Sequence, residues 1–121
     1  MPVKRVLVVD DSPTERFFLT DLLRKNGYEV LTADSGEAGI AVARERRPDL
    51  ILMDVVMPGL NGFQATRQLA RDETTKSIPV IMCTSKTQET DRVWGIRQGA
   101  IDYLVKPIVA ETLLAKIQRL G

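Results

Sequence analysis

The chain has 121 residues, of which 44% are hydrophobic and 27% charged, with a formal net charge of +1. This is the profile of one globular domain long enough to bury a core, and it excludes recognition of nucleic acid or membrane by bulk charge. Histidine is absent and Cys83 is the single cysteine, which excludes Ser-His-Asp and Cys-His catalysis, His-ligated zinc and any internal disulfide.

In chain order, apolar runs alternate with amphipathic stretches. The first run, VLVVDD, predicts a strand over Arg5–Asp10 that passes without polar alternation into two adjacent acids. Ser12-Pro13-Thr14-Glu15 then combines an N-cap serine, a proline at the first helical position and a glutamate that can close a capping box. Phe18, Leu19, Leu22 and Leu23 give that helix its expected buried stripe, and Gly27 its stop. A second strand is expected at Tyr28–Ala33. Ser35 caps a second helix carrying Ile40, Val42 and Ala43, which ends before Pro48.

The third strand, Leu50–Asp54, again ends on an acid. A third helix is expected from Gly62 to Arg71, with Phe63, Ala65, Thr66 and Leu69 inside the pattern. The fourth strand is Pro79–Thr84, and its VIMCTS setting predicts that Cys83 is a buried, inert thiol. Thr87 is placed to cap a fourth helix with Val93, Ile96 and Ala100 on one face and Gly99 at its end. Trp94 is off that face and is expected to pack at the helix flank. A fifth strand, Asp102–Lys106, and a helix over Ala110–Leu120 burying Leu113, Leu114 and Ile117 complete the chain.

Strict alternation of strands and helices implies parallel pairing through right-handed crossovers, with helices on both faces. A closed barrel of eight such units needs about 250 residues, so residues 1–121 are expected to form one doubly wound α/β domain with an open sheet. No stretch approaches the roughly 20 apolar residues of a membrane span. The N-terminal MPVKRVLVVDD lacks the pattern of a secretion signal, so the expected location is cytoplasmic. The basic positions Arg44, Arg46, Arg47, Arg67 and Arg71 are read as solvated helix faces.

In an open parallel sheet the ligand crevice lies at the carboxyl ends of the strands. Those ends carry Asp10 and Asp11, Asp54, Thr84 with Ser85, and Lys106 followed by Pro107. Three neighbouring carboxylates raise one another's pKa values unless a cation offsets them. An all-oxygen donor set with room for water suits Mg²⁺, with Mn²⁺ as the alternative. The expected ligands are Asp11, Asp54 and the main-chain carbonyl of Val56, with Asp10 in contact directly or through water. Such a site suits an incoming phosphoryl group. Asp54, at the end of the strand expected to be central, is the candidate nucleophile for an aspartyl phosphate. Thr84 and Lys106 are placed to bind phosphoryl oxygens, and the small Ser85 leaves room for entry.

VLVVDDSP, LILMDVVMPGLNG, VIMCTS and DYLVKP, in this order and spacing, resemble response-regulator receiver domains of the CheY type over essentially the whole chain. The resemblance implies a flavodoxin-like receiver fold with strand order 2-1-3-4-5. It implies transfer of phosphate to Asp54 from a histidine kinase or phosphotransfer domain, a requirement for Mg²⁺, and a cis bond between Lys106 and Pro107. It also makes Tyr103 a rotamer switch that follows Thr84, and Val56 and Lys86 the positions that tune dephosphorylation. Met57-Pro58-Gly59 and Gly62 match the family's loop after the third strand. MPGLNGFQATRQL and QETDRVWGIRQGAIDYL further resemble the PilH-type receivers of twitching motility.

The resulting expectation is a monomeric, stand-alone switch in a chemotaxis-like phosphorelay. Phosphorylation would change the surface of the fourth helix, fifth strand and fifth helix, and so the affinity for a downstream protein, with no nucleic-acid or membrane partner. A phosphate sink and an unphosphorylated pseudo-receiver are the alternatives within the fold. A flavin carrier would need a hydroxyl- and glycine-rich loop where this chain has DDSP. An aspartyl phosphatase needs an acid two residues beyond its nucleophile, where Asp10 is followed by Ser12 and Asp54 by Val56.

Overall fold

The computed structural model describes residues 2–85 and 89–120, and for residues 89–91 the backbone alone. The strands are β1 (Arg5–Val9), β2 (Glu29–Ala33), β3 (Leu50–Asp54), β4 (Val80–Thr84) and β5 (Asp102–Val105). Between and after them run α1 (Pro13–Lys25), α2 (Gly36–Arg46), α3 (Gly62–Arg71), α4 (Glu89–Arg97) and α5 (Ala110–Leu120). The strands form one parallel sheet in the order β2-β1-β3-β4-β5. No described helix is long and apolar enough to cross a membrane.

Four strands are one residue shorter than the sequence predicts, because their boundary residues leave the ladder only partly. Asp10 still donates its amide to Ala33 O at 3.1 Å, and Lys106 to Thr84 O at 2.7 Å. Pro79 has no N–H to give, yet its carbonyl accepts from Ile51 N at 3.0 Å. The ladder pairs Val9 with Met53, so one step further brings Asp10 level with Asp54.

The pleat divides the core in two. Val6, Val8, Leu52, Ile81, Cys83 and Leu104 pack with Leu19 and Leu23 of α1 and Leu113 and Ile117 of α5. Leu7, Val9, Ile51, Met53, Val80 and Met82 pack with Ile40 and Ala43 of α2 and Ala65 and Leu69 of α3. β3 and β4 are buried along their full length, as strands covered by helices on both faces must be. Ser12 and Ser35 accept from Glu15 N and Ala38 N, as N-caps do.

Two predicted faces require correction. Phe18 is 43% exposed, because the stripe of α1 centres on Leu19 and Leu23, with Leu22 at its edge. Val93 and Ile96 were expected on the buried face of α4, but they are 43% and 45% exposed. The contact with the sheet is made instead at Gly95, where an added methyl would lie 3.1 Å from Met82 Cγ. Ala100 is buried as expected, and Trp94 is half exposed. Thr87, the expected cap of α4, lies outside the described residues.

Candidate functional site

The carboxyl edge of the sheet is where chain direction and burial place the acids. Asp10 follows the last residue of β1 and is 2% exposed; Asp54 ends β3 and is 7% exposed. Asp11, one residue on, is exposed. One carboxylate oxygen from each of the three lies within 4.8 Å of the others, so the sequence-predicted cluster is a single nest.

Its positive counterpart comes from the end of β5. Lys106 Nζ donates to Asp10 Oδ2 at 2.9 Å and lies 3.0 Å from Asp54 Oδ1, so one ammonium bridges both buried acids. The Lys106–Pro107 peptide bond is cis, in agreement with the sequence expectation.

The loops hold the nest from both sides. Asp10 Oδ1 accepts from Ser12 N at 2.9 Å, and Asp10 O accepts from Arg16 Nη1 at 2.7 Å. On the other side, the first residue of α3 meets the end of β3. Gly62 donates to Val55 O at 2.9 Å, and a methyl group at Gly62 would lie 2.0 Å from Asp54 O. Only a residue without a side chain fits so close to that carbonyl. Asn61 and Gln64 form a reciprocal capping box that fixes where α3 begins.

Electrostatics follow from this packing. Burial is the main cause of the Asp54 carboxyl's being pushed up to about 6, and the Asp10 and Asp11 charges add to it. The hydrogen bond from Lys106 works in the opposite direction. For Lys106, burial alone would favour the neutral amine, but its bonds to Asp10 and Asp54 prevail and raise it above the ordinary lysine value. Burial pushes the Cys83 thiol up to about 12, which makes it the inert core residue expected.

Of the remaining predicted residues, Thr84, Ser85, Tyr103 and Val56 are described. Thr84 ends β4 and is buried; Ser85 is exposed beyond it. Strand alternation places Thr84 on the same face of the sheet as Met82, whose register partner is Tyr103. Tyr103 is half buried, and the Arg92 guanidinium stands 5.1 Å from the centre of its ring. Val56 is 61% exposed at the mouth. Lys86 lies outside the described residues. Sequence reasoning missed Arg16, whose bond is to a main-chain carbonyl and leaves no pattern of residue types. It also assigned Lys106 to a phosphoryl oxygen and missed its two direct contacts, with Asp10 and with Asp54.

A parallel sheet of this order with this acidic edge defines a class of protein, and the match is direct. Residues 6–118 match the response regulator receiver domain, and the chain belongs to that family. Within it, the chain is 62% identical over 113 residues to Protein PilH of Pseudomonas aeruginosa, spanning 93% of each. The chemotaxis protein CheY4 of Vibrio cholerae superposes with a TM-score of 0.92 at 37% identity, over 98% of this chain and 99% of that one. The receiver domain of a sensor histidine kinase from P. aeruginosa, solved with a magnesium ion coordinated in its active-site cleft, gives 0.90 at 32% identity, over 98% and 97% of the two chains.

Proposed function

We propose that the chain is a phosphoacceptor switch in which Asp54 receives the phosphoryl group of a phosphohistidine on a kinase or phosphotransfer domain. The observation that carries this reading is the nest itself: two buried carboxylates bridged by a single lysine, with one exposed carboxylate beside them. Charge of this kind, kept at the edge of a core, calls for an offset that Lys106 alone does not supply.

The donor set fits a hard divalent cation. All three side chains offer carboxylate oxygen, and no softer ligand joins them among the described residues. Asp10, Asp11 and Asp54 would hold Mg²⁺ or Mn²⁺ with the main-chain carbonyl of Val56. The ion would neutralise charge on the oxygens of the transferring group.

In the transfer, an Asp54 oxygen bonds to phosphorus while the phosphorus–nitrogen bond of the donor breaks. The electron pair stays on the departing imidazole nitrogen, which takes a proton. Lys106 Nζ, already within 3.0 Å of Asp54, is placed to exchange that contact for a phosphoryl oxygen. The Thr84 hydroxyl is assigned a second phosphoryl oxygen, and Tyr103, on the same face, follows its movement. Exposed Val56 cannot orient water, and it and Lys86, two positions after Thr84 in the sequence, are assigned the tuning of the lifetime of the phosphorylated state. Half-exposed Val93, Trp94 and Ile96 on α4 support a protein contact as the output. The resemblance to Protein PilH supports a place in type IV pilus twitching motility.

Incubation with acetyl phosphate and Mg²⁺, followed by intact-mass measurement, tests the reading. Wild type should gain one phosphoryl group and Asp54→Ala none. An unmodified wild type, or a modified alanine variant, would overturn the assignment of Asp54.

A further inference from the structure

At the amino edge of the sheet, away from the acidic nest, α3 and α4 end side by side around a hollow of about 360 Å³. Its lining is Arg67, Ala70, Arg71, Arg97, Gln98 and Gly99. The two helix ends touch at its floor, where a methyl group at Gly99 would lie 2.9 Å from Ala70 Cβ. All three arginines are exposed, and Arg67 and Arg71 lie one turn apart on the same side of α3.

The charge here is out of keeping with the rest of the molecule. Four other surface hollows on the described residues also contain cations, and each contains a carboxylate as well: Asp102, Glu37, Asp49, or Glu29 with Asp49. The arginine hollow contains no carboxylate. Several cations elsewhere have a carboxylate partner, as in Lys25–Asp21, Lys76–Glu73 and Lys116–Asp102. The negative ends of the helices account for Arg71 and Arg97, which sit in last turns. Arg67, a turn further in, has no such offset and faces a like charge four residues away, an arrangement that weakens a helix.

We propose that this hollow is a binding site for a small phosphate-bearing anion of the pyrophosphate or nucleoside polyphosphate class. Guanidinium groups match phosphate oxygens in paired hydrogen bonds, and three of them match the charge of a polyphosphate. Gln98 adds an amide that can donate to oxygen or accept from a ligand's own donor. The volume falls in the range of small-ligand cavities, about 300–1,000 Å³, which favours a compact anion over an extended acidic protein segment. The site is separate from the phosphoacceptor. Gly62 abuts Asp54, and Arg71 follows nine positions along α3, about 14 Å away at 1.5 Å per residue.

Titration of ¹⁵N-labelled protein with pyrophosphate and with ATP, in EDTA and low salt, tests the proposal without engaging Asp54. Saturable amide shifts are expected at Ala70, Arg71 and Gln98–Ala100, with a dissociation constant below about 1 mM. Arg67→Glu and Arg97→Glu should each weaken binding at least about tenfold, and Arg67→Lys, which keeps the charge but loses the fork, by less. If Arg97→Glu does not fold, Arg67→Glu on the open face of α3 carries the test. Shifts that do not saturate, that spread over the surface, or that survive Arg67→Glu overturn the site. A glutamate-rich peptide that binds there more tightly than ATP overturns the ligand class.

Discussion

α3 and α4 are neighbouring helices on the same face of the sheet, yet they meet it in opposite ways. α3 is fastened to the functional site: its first residue abuts the Asp54 carbonyl, a reciprocal box caps it, and Ala65, Thr66 and Leu69 are buried. α4 turns a glycine to the sheet and leaves Val93, Trp94 and Ile96 half exposed. The first arrangement fixes geometry, as the proposed role of Asp54 requires. The second leaves apolar surface uncovered and, among its described side chains, buries little, which suits an element whose contacts change between states.

The sharpest way to break this comparison is to add one methyl group to each helix. Gly62→Ala would drive a carbon to 2.0 Å from Asp54 O, where only backbone can yield. The expected loss is about 3 kcal/mol or more in urea denaturation. Gly95→Ala meets Met82 Cγ at 3.1 Å, the flexible part of a methionine. The gain in helix propensity offsets that contact, so the net change should stay within about 1 kcal/mol. Equal costs at the two sites would mean that α3 is no more firmly fixed than α4.

A second test concerns the charge that α3 helps to hold in place. The Asp54 carboxyl sits at about 6 in the folded chain against 3.8 when free, mainly through burial. Between those values the folded state keeps a proton that the unfolded state has released. Stability from this residue therefore falls as pH rises through the interval, and the full penalty persists above it. The interval corresponds to about 3 kcal/mol at most. Without divalent cations, Asp54→Asn should stabilise the protein at pH 7.5 by an amount approaching that figure, with the gain fading towards pH 4. Lys106 keeps Asp10 as a partner in the variant. A loss of stability at pH 7.5 would show that the lysine bridge outweighs the cost of burial.

The same contrast explains what could be read in the sequence. Strands buried on both faces declare themselves as apolar runs, and the acids that follow them fall by topology at one edge. Asp10, Asp54, Thr84 and Lys106 were legible for that reason. So were Ser12 and Ser35, because a cap is a local interaction between residues three apart. The packing face of α4 was not legible. A pattern search follows large apolar side chains, and this helix makes its contact through Gly95, a residue that such a search passes over. Arg16 was hidden for a related reason: its partner is the carbonyl of Asp10, and any residue at that position would have offered the same atom.

The capping box ranks next in expected effect. Asn61→Ala removes the side-chain acceptor for Gln64 N at 2.9 Å and leaves only the return bond, from the main-chain N–H of residue 61 to the Gln64 side chain. The cost should be about 1 kcal/mol. If the cap also positions the loop, phosphorylation by acetyl phosphate should slow in the variant while its extent at saturation is kept.

The smallest effect is expected where the sequence pattern pointed to core. Val93→Ser and Ile96→Ser remove apolar groups that are already 43% and 45% exposed. Each should change unfolding stability by no more than about 0.5 kcal/mol and leave acetyl-phosphate labelling of Asp54 unaltered. Leu69→Ala, in the buried stripe of α3, should cost about 2–5 kcal/mol by comparison. A cost above about 1.5 kcal/mol for either serine variant would place its side chain against the sheet in solution, and α4 would then be anchored by the face its sequence implied. Near-neutral stability together with weakened binding of a partner would assign the exposed face to recognition, because a group that contributes little to folding can be lost from the surface without disturbing the nest.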